Sequence, residues 1–83
     1  MVTFEEVRRV KAEYEAELMR KLGVVGVAIG HKQISGRKTN QLCIICYVVK
    51  KKRIGQLEER DIIPEEIDGV PVDVIESGQL QAL

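Results

Sequence analysis

Cys43 and Cys46 have the C-x-x-C spacing found in redox and metal sites. In redox enzymes the first sulfur of this motif stands at a helix N-terminus, which lowers its pKa. Here both lie inside the apolar segment 42–49, which is typical of a β-strand. Because side chains alternate along a strand, the two thiols are expected on opposite faces, where they can neither bridge nor share a metal ion. The spacing therefore predicts two buried, reduced thiols, with no metal and no cofactor.

The single histidine, His31, has Ser35 nearby, but nucleophilic catalysis also needs an orienting acid and an oxyanion site. No acidic residue lies between Gly23 and Arg53. The carboxylates that follow Glu58 are scattered through predicted loops and are not held as a pair. The sequence predicts a surface histidine, no catalytic residue and no enzyme activity in this chain.

A basic cluster is the stronger candidate for a binding site. Its members are Lys50, Lys51, Lys52 and Arg53, with Lys32, Arg37 and Lys38 across a predicted hairpin. Such a cluster attracts nucleic acid or another polyanion. The aromatic residues that stack on single-stranded bases are missing around it, and the sequence pI of about 6.6 is far from basic. Nucleic-acid binding is therefore the alternative function and not the first choice.

Charge is balanced in total, with 13 basic and 13 acidic residues, and is separated along the chain. Residues 23–53 contain seven basic and no acidic side chains, whereas residues 54–83 contain eight acidic side chains and one basic. The two segments thus carry net charges of +7 and −7. Either they neutralise each other in space, which is the simpler interpretation, or each faces its own partner.

The 83 residues suffice for one domain, which we place at residues 1–78, with a tail or linker at 79–83. The sequence has no apolar run of the ~20 residues that a membrane span needs, and no signal peptide at its start. A soluble, cytoplasmic protein is expected, because two cysteines in so short a chain do not form a secreted disulfide framework.

The predicted elements are one helix and three strands. Thr3 and Glu6 have capping-box spacing, and an apolar stripe follows them: Val7, Val10, Tyr14, Leu18 and Leu22. Segments 24–30 and 42–49 indicate a hairpin that turns at Ser35-Gly36, and a short helical turn is expected between 55 and 61. Segment 70–76 is a third strand, which Pro71 places at a sheet edge or at the start of a strand. The fold class is α+β, with the N-terminal helix packed on a small, mainly antiparallel sheet.

The second strand is apolar on both faces, although one helix covers only one face of a sheet. The uncovered face would expose an apolar patch larger than monomers usually leave in water. We therefore expect an interface formed by Cys43, Ile45, Tyr47 and Val49, or by the opposite set of side chains on this strand. Its partner would be a second copy, giving a homo-oligomer, or a domain that follows in a longer chain.

Several motifs in residues 23–78 carry a resemblance to a known family. They are the run from Val24 to Lys32, the turn at 35–37, the strand ending at 47–52, and the segment from Ile63 to Val74. In this order they resemble the N-terminal region that precedes the catalytic domain of bacterial trypsin-like peptidases, a group with plant relatives of the narrow-leaf type. The resemblance implies a non-catalytic accessory module, and it carries over no catalytic residue, because the family's catalytic residues belong to the downstream domain.

Overall fold

A computed structural model describes residues 2–51 and 54–77 of the chain. Helix α1 spans Phe4–Met19 and begins at the predicted cap, where the Thr3 hydroxyl oxygen accepts a hydrogen bond from the Glu6 amide at 3.2 Å. From its apolar stripe, Val7, Val10 and Leu18 are buried. The helix ends at Met19, with Arg20 as its C-cap, and residues 20–23 form a turn in which Gly23 adopts a left-handed backbone with φ of +83°. No helix in the described ranges is both long and apolar enough to cross a membrane.

Four strands form one mixed sheet. They are β1 (Val24–Ile34), β2 (Arg37–Val48), β3 (Glu66–Ile67) and β4 (Val70–Glu76), in the order β1-β2-β4-β3. The β1/β2 and β3/β4 pairs are antiparallel hairpins, and β2 and β4 are parallel. The crossover between β2 and β4 contains two 3₁₀ turns, at Ile54–Gln56 and Glu59–Asp61, where the sequence predicts a short helical turn. The α+β prediction is confirmed.

The predicted third strand, β4, lies inside the sheet and not at its edge, because the two-residue strand β3 pairs with its first residues. So short a strand leaves no period-2 pattern in the sequence. The other expected position of Pro71, near a strand start, is the one observed. Pairing with β2 begins at the following residue, Val72, so the missing proline N–H interrupts no ladder bond.

One face of the sheet packs against α1. On β2 the side chains of Ile44 and Cys46 point into this core, next to Val72 of β4 and the buried helix residues. On β1 the same face carries Val27 and Ile29. This is the arrangement that the apolar stripe of the helix predicts. The tail predicted at 79–83 lies outside the described residues, and the domain boundary remains a prediction.

The face away from α1, called the open face below, has small residues on β1 and large ones on β2. Gly26 pairs with Tyr47, and Gly30 pairs with Cys43. The Ile45 side chain lies so close over Gly30 that a Cβ atom there would collide with it. The glycines of β1 therefore accommodate the large side chains of β2 and not an approaching helix.

The β1/β2 hairpin is irregular near its end. His31 pairs with Leu42, whereas Gln33 pairs with Lys38, so three residues of β2 lie opposite Lys32 alone. The Thr39 hydroxyl stabilises this bulge by donating to the Lys32 carbonyl oxygen at 2.8 Å. Bulges of this kind bend a strand. Beyond it, the turn residues Ser35 and Gly36 both have positive φ, as a two-residue hairpin turn requires.

The bend carries the hairpin tip, residues 33–38, across the open face. The Gln33 amide donates to Asp73 Oδ2 at 3.1 Å. Asp73 pairs with Ile45 on the far side of β2 from β1, so a straight hairpin would not reach it. Residues of the tip and of β4 consequently line one groove: Gln33, Ser35 and Gly36 opposite Asp73, Val74, Ile75 and Glu76.

Gly30→Ala should lower the free energy of unfolding by about 1 kcal/mol, because the added methyl group forces the end of the Ile45 side chain out of its position. Gly26→Ala is the matched control, since its Cβ would lie 3.6 Å from the Tyr47 ring, an ordinary contact. Urea denaturation of both variants measures the difference. Equal stability of the two variants would contradict the packing described for this face.

Candidate interaction surface

The four side chains predicted to form an interface differ in exposure. Cys43 is fully buried and Ile45 is 7% exposed, whereas Tyr47 is half-buried and Val49 is 37% exposed. The expectation that all four would be exposed is therefore wrong for Cys43 and Ile45. The physical reason is the bent hairpin, whose tip covers this part of β2 in place of a partner.

Strand β4 is mostly apolar, and the hairpin tip provides the hydrogen-bond partner that its acidic residue Asp73 needs. Its carboxylate is half-buried on the open face and accepts the Gln33 amide. A hydrogen bond to a charged acceptor is stronger than a neutral one. In the described ranges this bond is the polar link between the hairpin tip and β4 that holds the tip down.

An exposed apolar corner remains beside the covered region. The Val49 amide donates to the Gly23 carbonyl oxygen at 3.0 Å, which brings the end of β2 against the connection between α1 and β1. Leu22 and Val25 flank Gly23 and are 58% and 43% exposed. We call Leu22, Val25 and Val49 the apolar corner.

Sequence reasoning missed two members of this corner. Leu22 continues the helical stripe by spacing, but the helix ends at Met19, so Leu22 lies in the turn before β1. Val25 is the extra residue where the β1/β2 register shifts between Val24 and Gly26. The glycine at position 23 indicates a turn next to Leu22, whereas the bulge at Val25 has no local signal.

The two cysteines lie as predicted, on opposite faces of β2, and both are free. Burial raises the pKa of Cys46 to about 11. Burial also raises the pKa of Cys43, and the Asp73 carboxylate adds to this effect while Lys32 opposes it. No group of three or more histidine, cysteine, aspartate or glutamate side chains in the described ranges is placed to hold a metal ion.

The structure places both residues that were considered for catalysis on the surface. His31 is exposed on β1, which confirms the surface histidine. Ser35 is an exposed turn residue at the end of the hairpin. His31 thus belongs to the edge strand of the sheet, and Ser35 belongs to the hairpin turn.

The basic residues gather near the tip of the bent hairpin. Lys51 lines the groove of about 450 Å³ together with Ser35 and Gly36, and Arg37 and Lys38 directly follow this turn. Lys50 and Lys51 are exposed. Lys52 and Arg53, the other two members of the predicted cluster, lie outside the described residues.

The oppositely charged segments do not neutralise each other through ion pairs in the part of the chain that is described. The ion pairs seen there are Lys11–Glu15 at 2.8 Å, within α1, and Arg60–Glu58 at 2.9 Å, within the crossover. Exposed carboxylates follow the β3/β4 side of the sheet at Glu65, Glu66 and Asp68. The basic tip and this acidic side are therefore not joined by an ion pair in the described residues.

Asp73→Ala should make Cys43 react at least tenfold faster with a thiol reagent at pH 8. The variant loses the bond that holds the tip, and the removed carboxylate no longer raises the pKa of Cys43, so both changes speed the reaction; tenfold corresponds to about 1.4 kcal/mol. Cys46, on the helix-covered face, is the internal control and should change only with global stability. Mass spectrometry of each labelled cysteine measures both rates. Equal acceleration of the two thiols would show that the hairpin tip does not specifically cover Cys43.

The chain was compared with known proteins and protein families. No curated protein matches the chain. A family model described as the NARROW LEAF 1 N-terminal domain matches residues 2–75 and so includes α1, on which the sequence motifs were silent. Because the match covers nearly all of the 83 residues, the chain belongs to the NARROW LEAF 1 N-terminal domain family.

Proposed function

We propose that this chain is a non-catalytic accessory module that docks through its apolar corner, together with the half-buried Tyr47. The observation that carries the proposal is the exposure of Leu22, Val25 and Val49 at one corner of the sheet. A family described as an N-terminal domain is consistent with an accessory role. An exposed apolar patch is typical of a contact surface.

The proposed partner is a peptidase-type domain or a second copy of the chain. The motifs that resemble the region preceding trypsin-like catalytic domains favour the first. The hairpin tip leaves less apolar surface than the sequence predicts, since Cys43 and Ile45 are already buried. A stable complex buries about 800 Å² per partner, so the contact must extend beyond the corner to neighbouring residues.

Paired substitutions test the docking surface. Leu22→Asp with Val49→Asp should abolish self-association, or weaken binding to a trypsin-like domain from a family member with both domains, by at least tenfold. A charge placed in a desolvated contact is costly, whereas both positions are exposed in the isolated chain. Analytical ultracentrifugation and calorimetry provide the readouts. Phe4→Asp is the control, because Phe4 is 53% exposed and lies on α1, away from the corner. A monomer that binds no such domain would contradict the proposal.

Polyanion binding is the second candidate function. The observation that favours it is the bent hairpin, which brings the Arg37–Lys38 end of the turn to the groove lined by Lys51. Lys50, Lys52 and Arg53 would extend the same basic segment. A phosphate-contacting surface loses affinity steeply as salt rises.

A salt titration with a mixed-sequence DNA duplex separates the two candidates. If the basic segment binds DNA, the affinity should fall steeply and linearly in logarithmic salt concentration, and Lys50→Glu with Lys51→Glu should abolish binding. The accessory-module proposal expects little affinity at any salt concentration. Arg8→Glu with Arg9→Glu, at two exposed positions on α1, is the matched charge-reversal control.

A further inference from the structure

The outer edge of β4 has backbone groups without a partner in the described ranges. The Ser77 amide donates to the Val48 carbonyl oxygen, so β4 residues of odd number direct their backbone groups toward β2. Residues of even number point away from β2, as the Val72 amide shows by donating to the Glu65 carbonyl oxygen at 2.9 Å. The next two outward residues are Val74 and Glu76.

Strand β3 is too short to cover these residues. It pairs with Val70 and Pro71, and the ladder continues by one bond to Glu65. No backbone hydrogen bond joins residues 62–64 to β4 in the described ranges. The outward N–H and C=O groups of Val74 and Glu76 thus form an open edge, which is a template for another strand.

This edge differs from the other free edge of the sheet. Strand β1 is interrupted by the bulge at Val25 and by glycines, which discourage strand pairing. The β4 edge instead borders the groove of about 450 Å³, whose opposite wall is the hairpin tip at Ser35 and Gly36. If another chain segment paired with β4 at this edge, its side chains that point toward the open face would enter the groove.

The charge at this edge indicates what kind of segment fits. Glu65, Glu66 and Glu76 are exposed, and none of them forms an ion pair in the part of the chain that the structure describes. In the described ranges the groove is lined by two acidic residues, Asp73 and Glu76, and by one basic residue, Lys51. An added strand with lysine or arginine side chains would therefore complement the carboxylates.

We propose that the outer edge of β4 binds an extended, basic polypeptide segment as a further strand of the sheet. Main-chain hydrogen bonds to Val74 and Glu76 hold the segment, and the carboxylates select its charge. This surface is distinct from the apolar corner, so failure of one proposal leaves the other standing.

The probe is a blocked octapeptide of alternating lysine and valine, added to the ¹⁵N-labelled chain. The amides of Val74 and Glu76 should become at least tenfold more protected from hydrogen exchange, whereas those of Asp73 and Ile75, which face β2, serve as internal controls. A peptide of the same charge with N-methylated backbone amides should give no protection. An alternating glutamate and valine peptide should bind at least tenfold more weakly.

Val74→Pro provides the variant, because it removes an outward N–H without breaking the ladder to β2, and it should weaken peptide binding at least tenfold. If the Val74→Pro variant does not fold, the hydrogen-exchange measurement on the unmodified chain still tests whether the peptide binds at this edge. Unchanged exchange at Val74 and Glu76, equal effects of the N-methylated peptide, or equal binding of the acidic peptide would each overturn the proposal.

Discussion

The structure depends on covering both faces of β2, a strand that is apolar on each side. Ile44 and Cys46 are buried against α1, while Cys43 and Ile45 face the other way. A chain of 83 residues provides one helix, so the second cover has to come from another element. It comes from the hairpin to which β2 belongs, which bends at its bulge and crosses the open face.

The bent hairpin depends on one polar contact with β4. The carboxylate of Asp73 accepts the amide of Gln33, which is 40 residues away in sequence. The contact satisfies a half-buried charge and an amide at the same time, so neither group has to be desolvated without compensation. Covering of the open face in turn limits the apolar contact surface to a corner and leaves the backbone edge of β4 open.

The sequence predicts the parts of the fold that rest on local rules. The Thr3 cap, the turn at Ser35-Gly36 and the opposite orientation of the two cysteines all follow from spacing and alternation, and each is confirmed. The parallel pairing of β2 with β4 and the position of β4 inside the sheet depend on long-range contacts, which local patterns do not encode.

The candidate surface was harder to predict for the same reason. The apolar character of β2 is visible in the sequence, but the element that covers it is not. The three residues opposite Lys32 produce the bend, and the hydrogen bond to Asp73 stabilises it. Neither the bulge nor this bond can be recognised in the sequence, because both depend on how the strands pair. Tyr47 and Val49 consequently keep part of their predicted exposure, whereas Cys43 and Ile45 lose it.

The exchange rate of the Gln33 amide proton tests the central claim most directly. Gln33 is an exposed residue close to a turn, so its amide would exchange at nearly the rate of an unfolded chain if the hairpin were straight. Bonded to Asp73, it should instead be protected by at least tenfold in native-state exchange followed by NMR. Exchange at the unprotected rate would contradict the account of a hairpin that covers the second face of β2.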